Sequence, residues 1–172
     1  MELVETIPND NNMKMLEEKN LEIKVIIPKE HYELVHSSRY GLPAILVINS
    51  SLRLFKERNV FGWTCQIVVY FNELADNRMP THGEATLVLN FFDKLNALIK
   101  GNEHHPNALF VSRCINDGAL NAIWQVNDPK ITEQQLQNII DNKTYPREFD
   151  YKIEYDEDWK EIDWFLQDFV NS

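Results

Sequence analysis

The chain is short of basic residues, glycine and cysteine, and it has no long apolar run. Each shortage removes a class of function. Lysine and arginine number 17 against 27 aspartates and glutamates, for a net charge of −10 and a pI near 4.9. A nucleic-acid backbone is bound through counterion release by clustered cations. Direct nucleic-acid binding is therefore not expected, whereas a basic protein partner is. No stretch reaches the ~20 apolar residues that a membrane-crossing helix needs, so no membrane association is expected. With 5 glycines in 172 residues there is neither a Gly-x-Gly-x-x-Gly turn nor a phosphate-cradling loop. Cys65 and Cys114 form no Cys-x-x-Cys pair and give no zinc spacing. Each falls in an expected strand and reads as a small reduced core residue. A Gly-x-Ser-x-Gly elbow is missing as well, and no cofactor is expected.

What is present is regular. Residues 107–127 read as a β-hairpin, NALFVSRCI and ALNAIWQVN, joined at Asn116-Asp117-Gly118. Asp-Gly accepts the positive φ angles of a tight hairpin turn. Strict alternation puts Phe110 and Cys114 on one face of the first strand, and Leu109, Val111, Arg113 and Ile115 on the other. On the return strand Leu120, Ala122, Trp124 and Val126 share a face. A slip of one residue would turn Trp124 and Val126 out of the core, so the register is well specified.

Residues 22–27 (EIKVII) and 44–49 (AILVIN) read as strands; the segment KEHYELVHSSRYGL between them takes no clear element. Residues 60–71 form the strongest strand, where Gly62 marks a bulge or a close backbone approach. A helix is expected over 84–100. Ala85, Val88, Phe92, Leu95 and Ile99 make its stripe, which Phe91 and Leu98 widen, and Gly101 stops it. A second helix is expected over 133–141, started by a Thr132–Gln135 capping box and an Ile131–Leu136 staple. Residues 149–155 alternate as a half-exposed strand does. A last helix is expected over 157–170, with Trp159, Ile162, Leu166 and Phe169 on its stripe and Trp164 off it.

From residue 60 onward the order is strand, helix, strand, strand, helix, strand. That order predicts an α+β fold with a ferredoxin-like split β-α-β core (β-α-β-β-α-β), two additional N-terminal strands and a C-terminal helix. The first hairpin strand is expected at the edge of that core. The two early strands either extend its sheet or form a small second one. Residues 1–20 show no apolar period and read as a flexible N-terminal tail; residues 21–172 read as a single domain. The polar, acidic start is unlike a secretion signal, which predicts a cytoplasmic protein.

The hairpin NALFVSRCINDGALNAIWQVND, followed by a helix and then YPREFDYKIEYDEDWKEIDWFL, resembles the bacterial family named domain of unknown function 695. The resemblance covers roughly residues 40–170. The family's hairpin arginine and glycine, its tyrosine-proline lead-in to a late strand and its Asp-x-x-Trp match Arg113, Gly118, Tyr145, Pro146, Asp156 and Trp159. Ser112 stands where the family has glycine, and Leu120-Asn121 where it has a basic residue and an aromatic. The family has no established activity. Some members are fused to a domain like the protein regulator of ribonuclease E, which implies a regulatory setting.

Candidate sites divide into two groups. His82 and Glu84 open the first helix, and Glu103-His104-His105 follow it. A helix of ~25 Å separates them, so they do not combine into a metal site, and none is expected. Arg113 is a candidate anion ligand, although a strand arginine also pairs with carboxylates or lies over aromatic rings. With His82, Glu84 and Tyr40 it makes the candidate set for a pocket between the sheet and the N-terminal additions. The second group is acidic and aromatic. From residue 148 onward nine carboxylates face only Lys152 and Lys160, which supplies −7 of the net charge of −10. Tyr151, Tyr155, Asp156, Glu157, Asp158, Glu161, Asp163 and Trp164 are the candidates for a docking face, with aromatic anchors among carboxylates that steer encounter. The alternative is the solvated side of an amphipathic helix.

These features favour a non-catalytic cytoplasmic protein-binding or regulatory protein. An immunity-type neutraliser of a basic toxin and a regulator of an RNA-processing enzyme both fit. A small-ligand-binding protein or an enzyme of unknown reaction is the alternative. Homodimerisation through the sheet is compatible with either.

Overall fold

The computed structural model describes residues 25–166. The expected tail over 1–20, the start of the 22–27 strand and the end of the last helix lie outside them. In chain order the elements are β1 Tyr32–Arg39, β2 Leu42–Asn49, two 3-10 turns (Ser50–Leu54 and Arg58–Phe61), β3 Trp63–Tyr70 and α1 His82–Lys100. β4 Ala108–Asn116, β5 Ala119–Val126, α2 Pro129–Asp141, β6 Phe149–Tyr155 and the short α3 Asp163–Leu166 follow.

The hairpin forms as expected. Asp117 and Gly118 hold φ at 45° and 79°, and Asn116 pairs with Ala119 across them. Both central residues have positive φ, the mark of a primed two-residue turn whose twist matches its strands. A Cβ on Gly118 would lie 3.2 Å from both an Arg78 guanidinium nitrogen and Leu74 Cδ1. Gly118→Ala is therefore expected to cost about 1–2 kcal/mol from the left-handed backbone, read as a lower urea midpoint at unchanged slope.

The fold is α+β, with one six-stranded antiparallel sheet in the order β1-β2-β4-β5-β3-β6. Among the four strands from β3 onward β4 is the outermost on its side, and β2 pairs with it, so both early strands extend the same sheet beyond it. One of those strands, β1, comes from the segment that took no clear element; Val25–Ile27 belongs to no strand. α1 and α2 cover one face through Val88, Phe91, Phe92, Leu95, Ile99 and Leu136, packed on Phe110, Leu120 and Trp124. The other face is covered by the 3-10 turns and residues 156–166, through Leu52, Phe55, Phe61, Trp159, Ile162 and Phe165. The apolar area removed from water on both faces stabilises the fold.

Three local expectations are corrected. The ladder shifts register between Phe110 and Ser112, so Val111 is an extra residue, a bulge. Beyond it the faces exchange. Ile115 joins Phe110 on the helix side, and Cys114 joins Leu109 and Val111 on the other. α2 starts at Pro129, not 133. Asp128 caps it by accepting from Lys130 N at 2.9 Å, and proline suits the first helical position, where no N–H is needed. Thr132 is buried and accepts from Asn107 Nδ2 at 3.1 Å, while Ile131 is exposed; there is no Thr132 box or Ile131 staple. The last helix does not begin at 157. Trp159 takes φ of 61°, which a right-handed helix cannot contain, and only Asp163–Leu166 is helical in the described part.

Candidate functional site

Beyond the reach of α1 the sheet continues as β2 and β1, leaving a groove between that helix and the outer strands. Its cavity volume is about 480 Å³. Leu34 of β1, Ile45 and Val47 of β2, Ile115 of β4 and Leu89 of α1 line it. Arg113 lies on its floor, opposite Val47 in the β2–β4 ladder. His82, the first residue of α1, also lines it. Of the four residues expected at a pocket, the structure therefore brings Arg113 and His82 together and leaves out the other two.

Glu84 is fully engaged elsewhere. Its carboxylate accepts from Arg147 Nε and Nη2, both at 2.7 Å, and from Asn72 N at 2.7 Å. Arg147 above all holds its carboxyl below the usual glutamate range. Tyr40 sits at φ of 53° in the β1–β2 turn and is 92 % exposed. Leu34 was not expected there, because the β1 segment takes no clear element from the sequence. Alternate Tyr32, Leu34 and His36 were the available signal.

Arg113 has unusual surroundings for a cation. Its guanidinium lies 4.9 Å over the Phe92 ring and makes no hydrogen bond or ion pair among the described residues. Desolvation pulls its pKa below the usual arginine value; Asp93 and Tyr32 are the charged or polar groups that act back on it. The Tyr32 hydroxyl is itself bonded to Glu30, which also receives Lys100 Nζ at 2.6 Å.

The acidic candidates do not form one surface. Asp156 is buried; its two oxygens accept from Lys160 N and Glu161 N at 2.9 Å each, which ties the turn after β6. That is a structural role, so Asp156 is corrected out of the docking set. Tyr151 lies under α2 and donates to Glu133 at 2.7 Å; burial and that bond push its pKa up to about 12. Tyr155 is exposed at the same side, edge-on to Trp63 with ring centroids 5.2 Å apart. Asp163 receives Arg58 at 2.8 Å. Glu157, Asp158 and Glu161 are exposed, and Trp164 is 49 % exposed. Glu161 and Trp164 border a groove of about 320 Å³ with Gln66, Val68 and Asn121.

His104 and His105 stay in the exposed loop after α1, where both backbone N–H groups point to Asn102 Oδ1. Among the described residues no cluster of three histidine, cysteine or carboxylate side chains could hold a metal ion. Cys65 and Cys114 are free thiols. Burial pushes the Cys65 pKa up to about 12, which leaves it a thiol at neutral pH and a poor nucleophile. No described helix is long and apolar enough to cross a membrane.

No curated protein and no solved structure matches this chain. A model of a family described as a family of unknown function (DUF695) matches residues 31–167, from just before β1 to the end of α3. Over that span the chain belongs to the DUF695 family.

Proposed function

We propose that this protein is a non-catalytic, cytoplasmic binding or regulatory protein that docks a positively charged protein partner on the acidic side of β6 and the turn after it. One observation carries this reading. Asp150 and Glu154 lie on the sheet face opposite the helices, on the side where Glu161 and the half-exposed Trp164 border a groove. The local lysines are already used, Lys152 by Glu154 at 2.8 Å and Lys160 by Asp158 at 3.1 Å. Arg39 also lines that groove, but the three carboxylates Asp150, Glu154 and Glu161 outnumber the two cations Arg39 and Lys152, a negative balance beside an aromatic anchor that steers encounter and then holds it. A toxin neutralised by an immunity-type partner and an RNA-processing enzyme under regulation are two settings with a suitably basic surface.

The same reading takes the part from β3 to β6 as a ferredoxin-like split β-α-β core. The order β4-β5-β3-β6, with α1 and α2 on one face, supports it. β1 and β2 are then additions beside β4.

The test is affinity capture from the source lysate, native protein against Glu154→Gln/Glu157→Gln/Glu161→Gln. The expected result is a basic protein held by the native form and lost by the variant, with an association rate that falls as salt rises. Equal capture by both forms, or an on-rate indifferent to salt, overturns the proposal.

A further inference from the structure

We infer that the groove between α1 and the outer strands is a binding site for a small amphipathic monocarboxylate, with the carboxylate on Arg113 and the apolar body against Leu34, Ile45, Val47, Leu89 and Ile115. Four observations bear on this ligand class. The cavity, about 480 Å³, lies in the ~300–1,000 Å³ range of small-molecule sites, which are mostly apolar with a few placed polar groups. Its walls are mainly aliphatic, from three strands and a helix, and Leu34 remains 63 % exposed at the mouth. The floor holds a half-buried cation with no carboxylate hydrogen-bonded to it among the described residues. The Phe92 ring, 4.9 Å from the guanidinium carbon, attracts the cation without accepting a hydrogen bond from its N–H donors, which are left for a planar anion.

The number of charges selects the head group. Arg113 is the one cationic side chain always charged among the cavity's lining residues, which also include His82. Asp93 lies close enough to act on Arg113 electrostatically, which disfavours a doubly charged phosphate. A single carboxylate matches the arginine fork and its charge. Glu30, next to Tyr32, is already taken by Lys100, so it does not compete for the guanidinium. Fatty acids of medium chain length and aryl carboxylates share this chemistry. This site lies on the helix side of the sheet, and its test is independent of any protein partner.

The experiment titrates the full chain with sodium decanoate below its micellar range, by calorimetry and by amide chemical shifts. Decanol serves as the uncharged comparison. The expected result is one bound decanoate per chain, with shifts centred on Leu34, Val47, Leu89 and Arg113, and decanol weaker by about tenfold or more, as a charge-assisted pair implies. Arg113→Met keeps an unbranched side chain without the charge and is expected to weaken decanoate to the level of decanol. Leu34→Glu, at an exposed position that folding tolerates, places a carboxylate at the mouth and is expected to abolish decanoate binding with native-like spectra. The site is overturned if decanoate and decanol bind alike, if shifts spread over many surface patches, or if neither folded variant changes the affinity.

Discussion

Trp159→Ala is expected to lower the unfolding free energy by about 3–5 kcal/mol, the range for emptying a buried large aromatic site. The indole is fully buried. Its N–H is shared between Phe61 O at 2.9 Å and Arg58 O at 3.1 Å. Phe55 stacks on it at 5.6 Å, and the Arg58 guanidinium lies 5.1 Å over the ring. Removing the side chain thus opens a void and strips two carbonyls of a donor at once. Alanine does not relieve the backbone, since φ of 61° is unfavourable for it too. Trp159→Phe separates the terms. It keeps most of the apolar bulk and loses the donor, and about 1–3 kcal/mol is expected for the carbonyls left behind. Urea unfolding followed by far-ultraviolet circular dichroism measures both. A Trp159→Ala midpoint close to the parent's would show that the 156–166 layer contributes little to holding the sheet.

Glu84→Leu is expected to be the other costly change, at about 3–5 kcal/mol for breaking one side of a buried ion pair. The Glu84 side chain is 1 % exposed, and it joins three parts of the chain: α1, Asn72 after β3, and Arg147 ahead of β6. Glu84→Gln keeps an acceptor for Asn72 N and should cost less. Arg147→Met leaves the carboxylate buried with its backbone donor alone and should also be less stable than the parent. The double variant recovers part of the loss if the two residues act as a pair.

The pH dependence has a definite sign. Arg147 first, then the backbone donors, hold the Glu84 pKa below its ordinary value near 4.5. Its contribution is therefore fully present above that value and is lost as the pH falls through the folded-state pKa. Glu84→Gln should flatten the stability profile in that acid range and leave its shape near neutrality unchanged. An unchanged acid limb in Glu84→Gln would assign acid sensitivity to other carboxylates.

Strand and helix positions in the middle of the chain were legible because they rest on local chemistry. Asp117-Gly118 announces its turn, and the apolar stripe of 84–100 announces α1. Three things were not. β1 hides because one face is open: Leu34 alternates with Glu33 and Val35, without the apolar run that marks β2. The bulge at Val111 has no signature residue, so strict alternation assigned Arg113 and Cys114 to the wrong sides. The turn at Asp156–Trp159 looks helical by spacing, yet its outcome is set by tertiary contacts. Burying Trp159 between Phe55 and the carbonyls of the second 3-10 turn outweighs the backbone strain. The candidate sites suffered in the same way. Arg113 and His82 are 31 residues apart in sequence, numbers that alone say nothing about a shared groove. Asp156 looked like one more solvated carboxylate until its two backbone donors were seen.

The sheet divides two cores, one on each face, and each contains one fully buried tryptophan. Trp124, bonded to Asn96 at 2.9 Å, sits under α1, and Trp159 sits on the opposite side. The molecule therefore carries its own pair of optical reporters. With Trp63 and Trp164 replaced by phenylalanine, Trp124 and Trp159 can each be removed in turn, and the remaining emission reports one layer alone. Coincident fluorescence and far-ultraviolet circular dichroism transitions within each variant would mean that the shared strands couple both layers into one cooperative unit. An earlier transition from Trp159 would mean that the 156–166 layer peels away while the helical side persists, a local opening with its own free energy.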